Sequence, residues 1–263
     1  MRILVTNDDG VESPGLESLA RALVEAGHEV FVVAPSSDRS GSSAAIGPIW
    51  RSGPIPVDTH TWASLPGVDV SAIDAAPATA VYAACLGGFG PPPELVASGI
   101  NPGPNTGHLV LHSGTVGAAL TAAGLGVPGV AVSIGWSEEG VYAWDTAAAF
   151  GAAAVEWVAA PAGGPRVLNI NVPNVPADEI KGVRQAALAP YGTFWTATAE
   201  AGAGDVVLEF KGNDSPVDPD SDLALVRAGY VAVTPLSVLT PAPIAGAAAA
   251  VEDAIGLTPQ ERS

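Results

Sequence analysis

Short aliphatic runs alternate with helical patterns through most of this 263-residue chain, and this alternation constrains the fold more than any other feature. Arg2–Thr6 and Glu29–Ala34 are predicted strands, and Leu16–Ala26 between them has apolar residues at helical spacing, with Gly27 placed to end the helix. The same pattern predicts four further strands and three further helices: Val68–Ile73, Glu94–Ser98, Gly129–Ile134 and Arg166–Val172, and Thr79–Leu86, Thr115–Ala123 and Trp144–Ala159. Strands that alternate with helices form parallel sheets. The sequence therefore predicts an α/β fold with a mostly parallel sheet.

After about residue 177 the pattern changes. Val183–Leu188 and Val206–Lys211 are predicted to pair as a hairpin, residues 212–222 are polar and turn-rich, Gly229–Pro235 is a predicted strand and Ile244–Leu257 a final helix. We expect a catalytic core over residues 1–180 and a C-terminal extension over 181–263 that belongs to the same domain and serves oligomerisation.

Composition excludes several classes of protein. The chain has 27 acidic and 10 basic residues, a formal charge of −17, which argues against binding a nucleic-acid polymer. The acidic surface either only keeps the protein dissolved, or requires a bound cation before a small anion can dock. Cys85 is the only cysteine, so no intrachain disulfide or thiolate metal cluster can form. The Ala-rich run 245–251 is too short to span a bilayer and no signal peptide is recognisable, so we expect a cytoplasmic protein without membrane contact.

An acidic pair follows the first predicted strand, in Asn7-Asp8-Asp9-Gly10. Ligands of open α/β sheets bind at the carboxyl ends of the strands, where these side chains lie. Adjacent carboxylates are costly unless a cation or a proton lies between them, and oxygen ligands favour Mg²⁺ or Mn²⁺. The alternative interpretation is an ordinary Asx turn.

Two long predicted loops also follow strands. The first, from Pro35 to about Val57, contains the run 36–43 of Ser, Asp, Arg and Gly residues. Its hydroxyls, Arg39 and backbone amides near Gly41 suit phosphate, whereas the alternative is a flexible Ser/Gly loop. Arg39 either contacts phosphate or pairs with Asp38. The second, Asn101–His112, contains two Asn residues between prolines and glycines, and is either an oxyanion site or a rigid turn.

The segment His112-Ser113-Gly114-Thr115 opens the predicted helix that continues to Ala123. The amides of a helix N-terminus suit phosphate, although Ser113 can equally serve as an N-cap. Together, the acids, amides, hydroxyls and helix N-terminus predict metal-assisted hydrolysis of a phosphate ester.

The ordered motifs NDDG, VVAPSSDRSGSS, SGINPGPNTG, HSGTVGAA and GYVAVTPL resemble those of the SurE survival-protein family of 5′/3′-nucleotidases. The resemblance runs from Met1 to about Leu236. It implies a Rossmann-like three-layer core with a C-terminal β-hairpin and helix extension, assembled as a homodimer or homotetramer. It also implies one divalent metal ion per subunit, most simply Mg²⁺ or Mn²⁺, and a small phosphate ester as substrate, chiefly nucleoside 5′- and 3′-monophosphates.

The resemblance also implies roles for individual residues. Metal ligands are expected at Asp8, Asp9, Ser40 and Asn101, and Asp8 and Asp9 are the expected catalytic residues. Asp8 would orient or deprotonate the attacking water while holding the ion. Phosphate or substrate contacts are expected from six residues: Asn7, Gly41, Asn105, Ser113, Gly114 and Thr115.

The chain departs from the family pattern at residues 75–80, where only Pro77 of the usual motif remains, and at His108 and His112. Either histidine is a general acid for the leaving group or an exposed loop residue. Trp50 and Trp136 either stack on a base or pack. A phosphatase specialised for a secondary-metabolite intermediate and a catalytically silent metal-binding or phosphate-binding relative are the alternative functions. A nucleotide-sugar glycosyltransferase would need a longer chain, and a phosphoacceptor signalling domain would need a lysine near the acids.

Overall fold

The structure is a computed structural model and describes residues 1–47, 53–160, 167–191, 194–202, 204–212, 216–237 and 245. The prediction for Trp50, and all but residue 245 of the predicted final helix Ile244–Leu257, lie outside the described residues.

Eleven strands and five α-helices are described. The strands are β1 Arg2–Thr6, β2 Glu29–Pro35, β3 Val57–His60, β4 Asp69–Ile73, β5 Leu95–Pro102, β6 Gly129–Ile134, β7 Val167–Val172, β8 Val183–Gln185, β9 Phe194–Ala201, β10 Val206–Gly212 and β11 Val231–Leu236. The helices are α1 Pro14–Glu25, α2 Pro77–Cys85, α3 Gly114–Gly124, α4 Trp144–Ala159 and α5 Asp222–Arg227, with short 3₁₀ turns at Gly107–Leu111 and Ala177–Glu179.

A nine-stranded sheet in the order β3-β4-β2-β1-β5-β6-β7-β11-β8 forms the middle layer. The six strands from β4 to β7 are parallel. β3 runs antiparallel to β4, β11 runs antiparallel to β7, and β8 runs parallel to β11. Helices α1 and α4 pack on one face, and α2 and α3 pack on the other. The three-layer α/β fold with a C-terminal hairpin is therefore confirmed.

The predicted pairing of the C-terminal hairpin is wrong. β10 pairs with β9, and the region of Val183 forms β8 beside β11. The cause is that β-branched content indicates a strand but does not identify its partner, which here is almost fifty residues away in the sequence. Three elements that the sequence analysis did not predict, β3, β9 and α5, also form.

Small side chains let α3 lie close to the sheet. A Cβ built on Gly129 of β6 would lie 2.6 Å from the carbonyl oxygen of Ala119, so only glycine fits there. This close packing fixes the N-terminus of α3 near the carboxyl ends of the central strands. Within the described residues, no helix is both long enough and apolar enough to cross a membrane.

Candidate active site

The turn after β1 is held by the side chain of Asn7, the first residue after the strand. Asn7 is fully buried, its Nδ2 donates to the Gly10 carbonyl at 3.0 Å, and its Oδ1 accepts from the Gly10 N–H at 3.2 Å. Gly10 has a φ of +103°, which favours glycine. Asn7 therefore holds the two following carboxylates in place, and the substrate contact predicted for it would require this turn to open.

Asp8 points at the N-terminus of α3. Its Oδ2 accepts from the Gly114 N–H at 3.1 Å, and its Oδ1 accepts from the Thr115 hydroxyl. Burial raises the pKa of Asp8, while the bonds from Thr115 and Gly114 act in the opposite direction. Both donors predicted for phosphate thus serve a carboxylate, because the amides of a helix N-terminus bind whichever anion lies nearest.

The environment of the Asp9 carboxylate differs from that of Asp8. Its Oδ2 is buried and has no hydrogen-bond partner within the described part of the chain. Burial, followed by the negative charges of Asp8 and Asp38, raises the pKa of Asp9 to about 8. A carboxylate with a buried oxygen that lacks a donor, beside two other carboxylates, is the arrangement that a bound cation stabilises.

The serine-rich loop after β2 joins this site through its backbone. The Arg39 N–H donates to the Asp8 carbonyl at 2.7 Å, which places Ser40 next to the acidic pair. One nitrogen of the Arg39 guanidinium pairs with Asp74 at 2.6 Å, rather than with Asp38. Asp38 instead accepts from the hydroxyl and the N–H of Ser40, at 2.6 and 2.7 Å.

The same loop lies directly on α3. A Cβ on Gly114 would approach Asp8 Cβ to 2.7 Å, and one on Gly117 would overlap the Ser43 carbonyl oxygen. Gly41, at the exposed tip, has a φ of +78° and open space around its Cβ position. The two helix glycines therefore allow the loop to close over the acidic pair.

The loop after β5 supplies two amides. Asn101 Nδ2 donates to the Gly103 carbonyl at 2.6 Å, and Asn105 Nδ2 donates to Ser133 Oγ at 2.9 Å. The Asn105 carbonyl accepts from Asn169 and Asn171, at 2.9 and 3.0 Å. Asn101 lies at the end of the strand next to β1, on the same edge of the sheet as Asp8 and Asp9.

The remaining predicted residues surround this centre. Ser113 caps α3 by accepting from the Val116 N–H at 3.1 Å, as one of its two interpretations predicts. His108 and His112 are exposed, and the His112 carbonyl accepts from the Ser43 N–H. Trp136 is 56% exposed, and its ring lies 3.4 Å from a Cβ built on Gly103.

Four residues that the sequence did not single out support the site: Asp74, Ser133, Asn169 and Asn171. The last two were detectable in principle, because amides at alternating positions of a buried aliphatic strand need a partner. Asp74 gave no such signal, since an exposed acid after a strand is common.

The donors at this edge are oxygen atoms. Within the described residues, no group of three or more His, Cys, Asp or Glu side chains is placed to hold a metal ion by itself. Asp8, Asp9, Ser40 and Asn101 supply carboxylate, hydroxyl and amide oxygens, a set that fits a hard divalent ion rather than Zn²⁺ bound by His or Cys. The orphaned oxygen of Asp9 is the structural observation that supports this fit.

Fold and site together define an α/β protein with a cluster of oxygen ligands at the carboxyl ends of its parallel strands. The family described as "Survival protein SurE" matches residues 3–192, and the chain belongs to this family. It is 39% identical over 242 residues to "5'/3'-nucleotidase SurE" of Serratia proteamaculans and 38% identical over 252 residues to "5'-nucleotidase SurE" of Desulfitobacterium hafniense, with 90% of each chain covered. The crystal structure of the SurE protein from Aquifex aeolicus superposes with a TM-score of 0.74 at 27% identity, covering 92% of this chain and 95% of that one.

Proposed function

We propose that this chain is a phosphatase that hydrolyses nucleoside 5′- and 3′-monophosphates with the help of one divalent metal ion, Mg²⁺ or Mn²⁺. The names of its relatives support the nucleotidase activity. The observation that carries the proposal is the buried Oδ2 of Asp9, which has no hydrogen-bond partner within the described part of the chain. It lies beside Asp8, whose carboxylate accepts from the N-terminus of α3.

Asp8, Asp9, Ser40 and Asn101 are the residues proposed to hold the ion. When bound, the ion would offset the negative charge of the phosphoryl group and favour attack by water. Ser40 donates its hydroxyl proton to Asp38, which leaves the lone pairs of the hydroxyl oxygen as potential ligands.

Asp8 is proposed to orient the attacking water. The Gly114 N–H and the Thr115 hydroxyl fix the plane of its carboxylate. A fixed carboxylate positions a water molecule without the entropic cost of ordering its own side chain during the reaction. Deprotonation of that water by Asp8 and binding of the ion by Asp8 are both compatible with this arrangement.

Direct substrate contacts are proposed for the donors that do not already bond Asp8. Since Gly114 and Thr115 already serve Asp8, direct phosphate contacts are proposed chiefly for Asn105 and the backbone of Gly41. Asn105 has a second N–H for this purpose, because its side-chain bond to Ser133 uses only one of the two. Exposed His108 or His112 is proposed as the source of a proton for the leaving group.

The oligomeric state, the cellular location and the division of the chain stay predictions. The hairpin of β9 and β10 exposes Val206, Val207 and Leu208, each more than half accessible, and this apolar surface supports the proposed homodimer or homotetramer. A cytoplasmic location and the division into residues 1–180 and 181–263 rest on the sequence.

A specialised substrate is the second proposal. Pro77 begins α2, and the Ala78 and Thr79 side chains that follow it are buried. The altered segment at 75–80 is therefore occupied in packing, and it offers fewer polar groups to a nucleoside on that side of the cleft.

The test is release of phosphate from a panel of nucleoside 5′- and 3′-monophosphates, ribose 5-phosphate and an aryl phosphate, with Mn²⁺, with Mg²⁺ and with chelator. We expect release that requires the metal and is lost in Asp9→Ala, with the panel ranking the bases. Release from the aryl phosphate alone would favour the specialised phosphatase. No release from any ester, by protein that binds Mn²⁺, would refute hydrolysis and favour the silent relative.

A further inference from the structure

We propose that Asp222, far from the acidic pair in the sequence, is a positioning residue of the proposed active site, because it fixes the loop that carries Asn105. This inference rests on the proposed function for its kinetic consequences, but its structural core can be tested without activity. Asp222 is the first residue of α5 and is fully buried.

The Asp222 carboxylate joins three segments that are distant in the sequence. Its Oδ2 accepts from the Gly107 N–H at 2.8 Å, across 115 residues of chain. Its Oδ1 accepts from the Ala189 N–H at 2.9 Å and from the N–H of Leu223, the next residue, at 2.8 Å. The site loop, the segment that leads into β9 and helix α5 therefore meet at one buried side chain.

Gly107 is shaped for this contact. It has a φ of +58°, and a Cβ built on it would overlap the Tyr191 carbonyl oxygen and lie 2.8 Å from that of Ala189. Glycine at position 107 therefore lets the loop backbone approach residues 189–191 more closely than a residue with a Cβ atom would allow. The bond to Asp222 satisfies an amide that this close approach removes from water.

Asn105, two residues earlier, is held from the other side. Its carbonyl accepts from Asn169 and Asn171 of β7. The loop is therefore anchored on the sheet, through the Asn105 carbonyl on β7 and the Asn105 side chain on Ser133 of β6, and on Asp222. Loss of the Asp222 contact would free the segment around Gly107 and disturb the bonds that orient the Asn105 side chain.

Burial of a carboxylate is costly, and burial raises the pKa of Asp222 against the opposing effect of its backbone N–H partners. An apolar residue at the start of α5 would avoid this cost but would leave the Gly107 and Ala189 amides unpaired. Since the partners of this carboxylate are backbone amides, its role is to hold backbone rather than to form an ion pair.

The test is Asp222→Asn in the full chain. Asn retains one oxygen, which can keep the Ala189 and Leu223 amides, while its NH₂ faces the Gly107 N–H and cannot accept from it. We expect kcat/KM for the best monophosphate to fall about tenfold or more, and the inhibition constant of inorganic phosphate to rise by a similar factor, since small misplacements of a binding group have effects of this size.

Ser221→Ala is the matched control. Ser221 caps the same helix, accepting from the Ala224 N–H at 3.4 Å and donating to the Asp218 carbonyl at 2.6 Å, and both of these bonds stay outside the site loop. Ser221→Ala should lower the melting temperature about as much as Asp222→Asn does. Its kcat/KM and its inhibition constant for phosphate should stay within about twofold of wild type.

Hydrogen exchange tests this inference independently of the proposed function. Amides of residues 103–112 should exchange faster in Asp222→Asn than in Ser221→Ala at equal distance from the melting temperature, even if the wild-type protein releases no phosphate. Wild-type exchange in this segment together with unchanged phosphate inhibition would overturn the inference. If Asp222→Asn does not fold, Asp222→Ser, which withdraws the acceptor from the Gly107 N–H by shortening the side chain, must give the same pattern; its failure to do so would also overturn the inference.

Discussion

Replacing Asp9 by Asn should stabilise the metal-free protein, although it removes a proposed metal ligand. Folding raises the pKa of Asp9 from 3.8 to about 8. As the pH rises, the unfolded carboxyl loses its proton first, so the stability associated with protonated Asp9 is complete below about pH 4 and is lost as the pH approaches 8. An amide at this position would remove the buried charge without breaking a bond to Oδ2, because that oxygen has no partner among the described residues.

The size of the effect follows from the shift. At pH 7 a shift of this size corresponds to at most about 4 kcal/mol of lost stability. The Asp9 side chain is partly exposed, and salt screens the repulsion from Asp8 and Asp38, so we expect Asp9→Asn to gain roughly 1–3 kcal/mol. For a chain of this size the gain corresponds to an increase of about 3–10 °C in Tm.

The assay is thermal or urea unfolding in chelator between about pH 4 and pH 9, a range that spans the raised pKa. The difference between Asp9→Asn and wild type should be close to zero at the acid end, grow with pH and level off above the pKa of about 8. Mn²⁺ should raise the Tm of wild type but not that of the variant, because a ligand that binds only the folded state stabilises it.

Asp8→Ala is the contrasting variant. It leaves the Gly114 N–H and the Thr115 hydroxyl without their acceptor and should cost about 1–3 kcal/mol in chelator. If Asp9→Asn is no more stable than wild type above the raised pKa, or if its advantage does not change with pH, Asp9 is not a strained carboxylate and needs no cation beside it.

Three further outcomes are expected. Asn171→Ala removes one donor to the Asn105 carbonyl and should lower kcat/KM several-fold with a loss of about 1 kcal/mol in stability, measured by initial rates and urea unfolding; unchanged kinetics would mean that this anchor is dispensable. Trp136→Ala should raise KM for nucleoside monophosphates roughly tenfold but leave KM for ribose 5-phosphate unchanged, if the exposed ring stacks on a base; equal changes for both esters would refute stacking. Binding of Mn²⁺ near neutral pH should release about one proton, because the raised pKa of Asp9 keeps it protonated without the ion; calorimetry in buffers of different ionisation enthalpy would reveal this, and no release would contradict it.

The core of the fold was predictable because its determinants are local. Buried parallel strands are continuous aliphatic runs, so β1, β2 and β6 were recognised almost to the residue. The partner of β10 was not predictable in the same way. Its true partner, β9, has the sequence FWTATAEA, whose aromatic and β-branched residues favour a strand, but strand propensity does not identify which two strands pair.

The candidate site was predictable in its position but not in its internal bonding. The order of motifs along the chain indicated that Asp8, the serine-rich loop and the start of α3 share one edge of the sheet. A motif lists donors and acceptors, however, and does not state which of them pair. The Thr115 hydroxyl and the Gly114 N–H were assigned to phosphate, yet the nearest anion in the folded chain is Asp8.

The buried position of Asp222 could not be predicted from the sequence. Asp218, Asp220 and Asp222 occur at alternating positions in a polar segment, and each has the sequence context of a solvent-exposed turn. Only Asp222 begins a short apolar helix that packs on β11, and this packing pulls its carboxylate into the interior. Its partner Gly107 lies 115 residues earlier, in a loop whose glycines have equally ordinary sequence context. A contact of this kind depends on the whole sheet, because α5 packs on β11 and β11 pairs with β7, the strand that also holds the loop at Asn105. The residues that position the proposed site are therefore specified by tertiary structure, while those proposed to carry its chemistry are specified by local sequence.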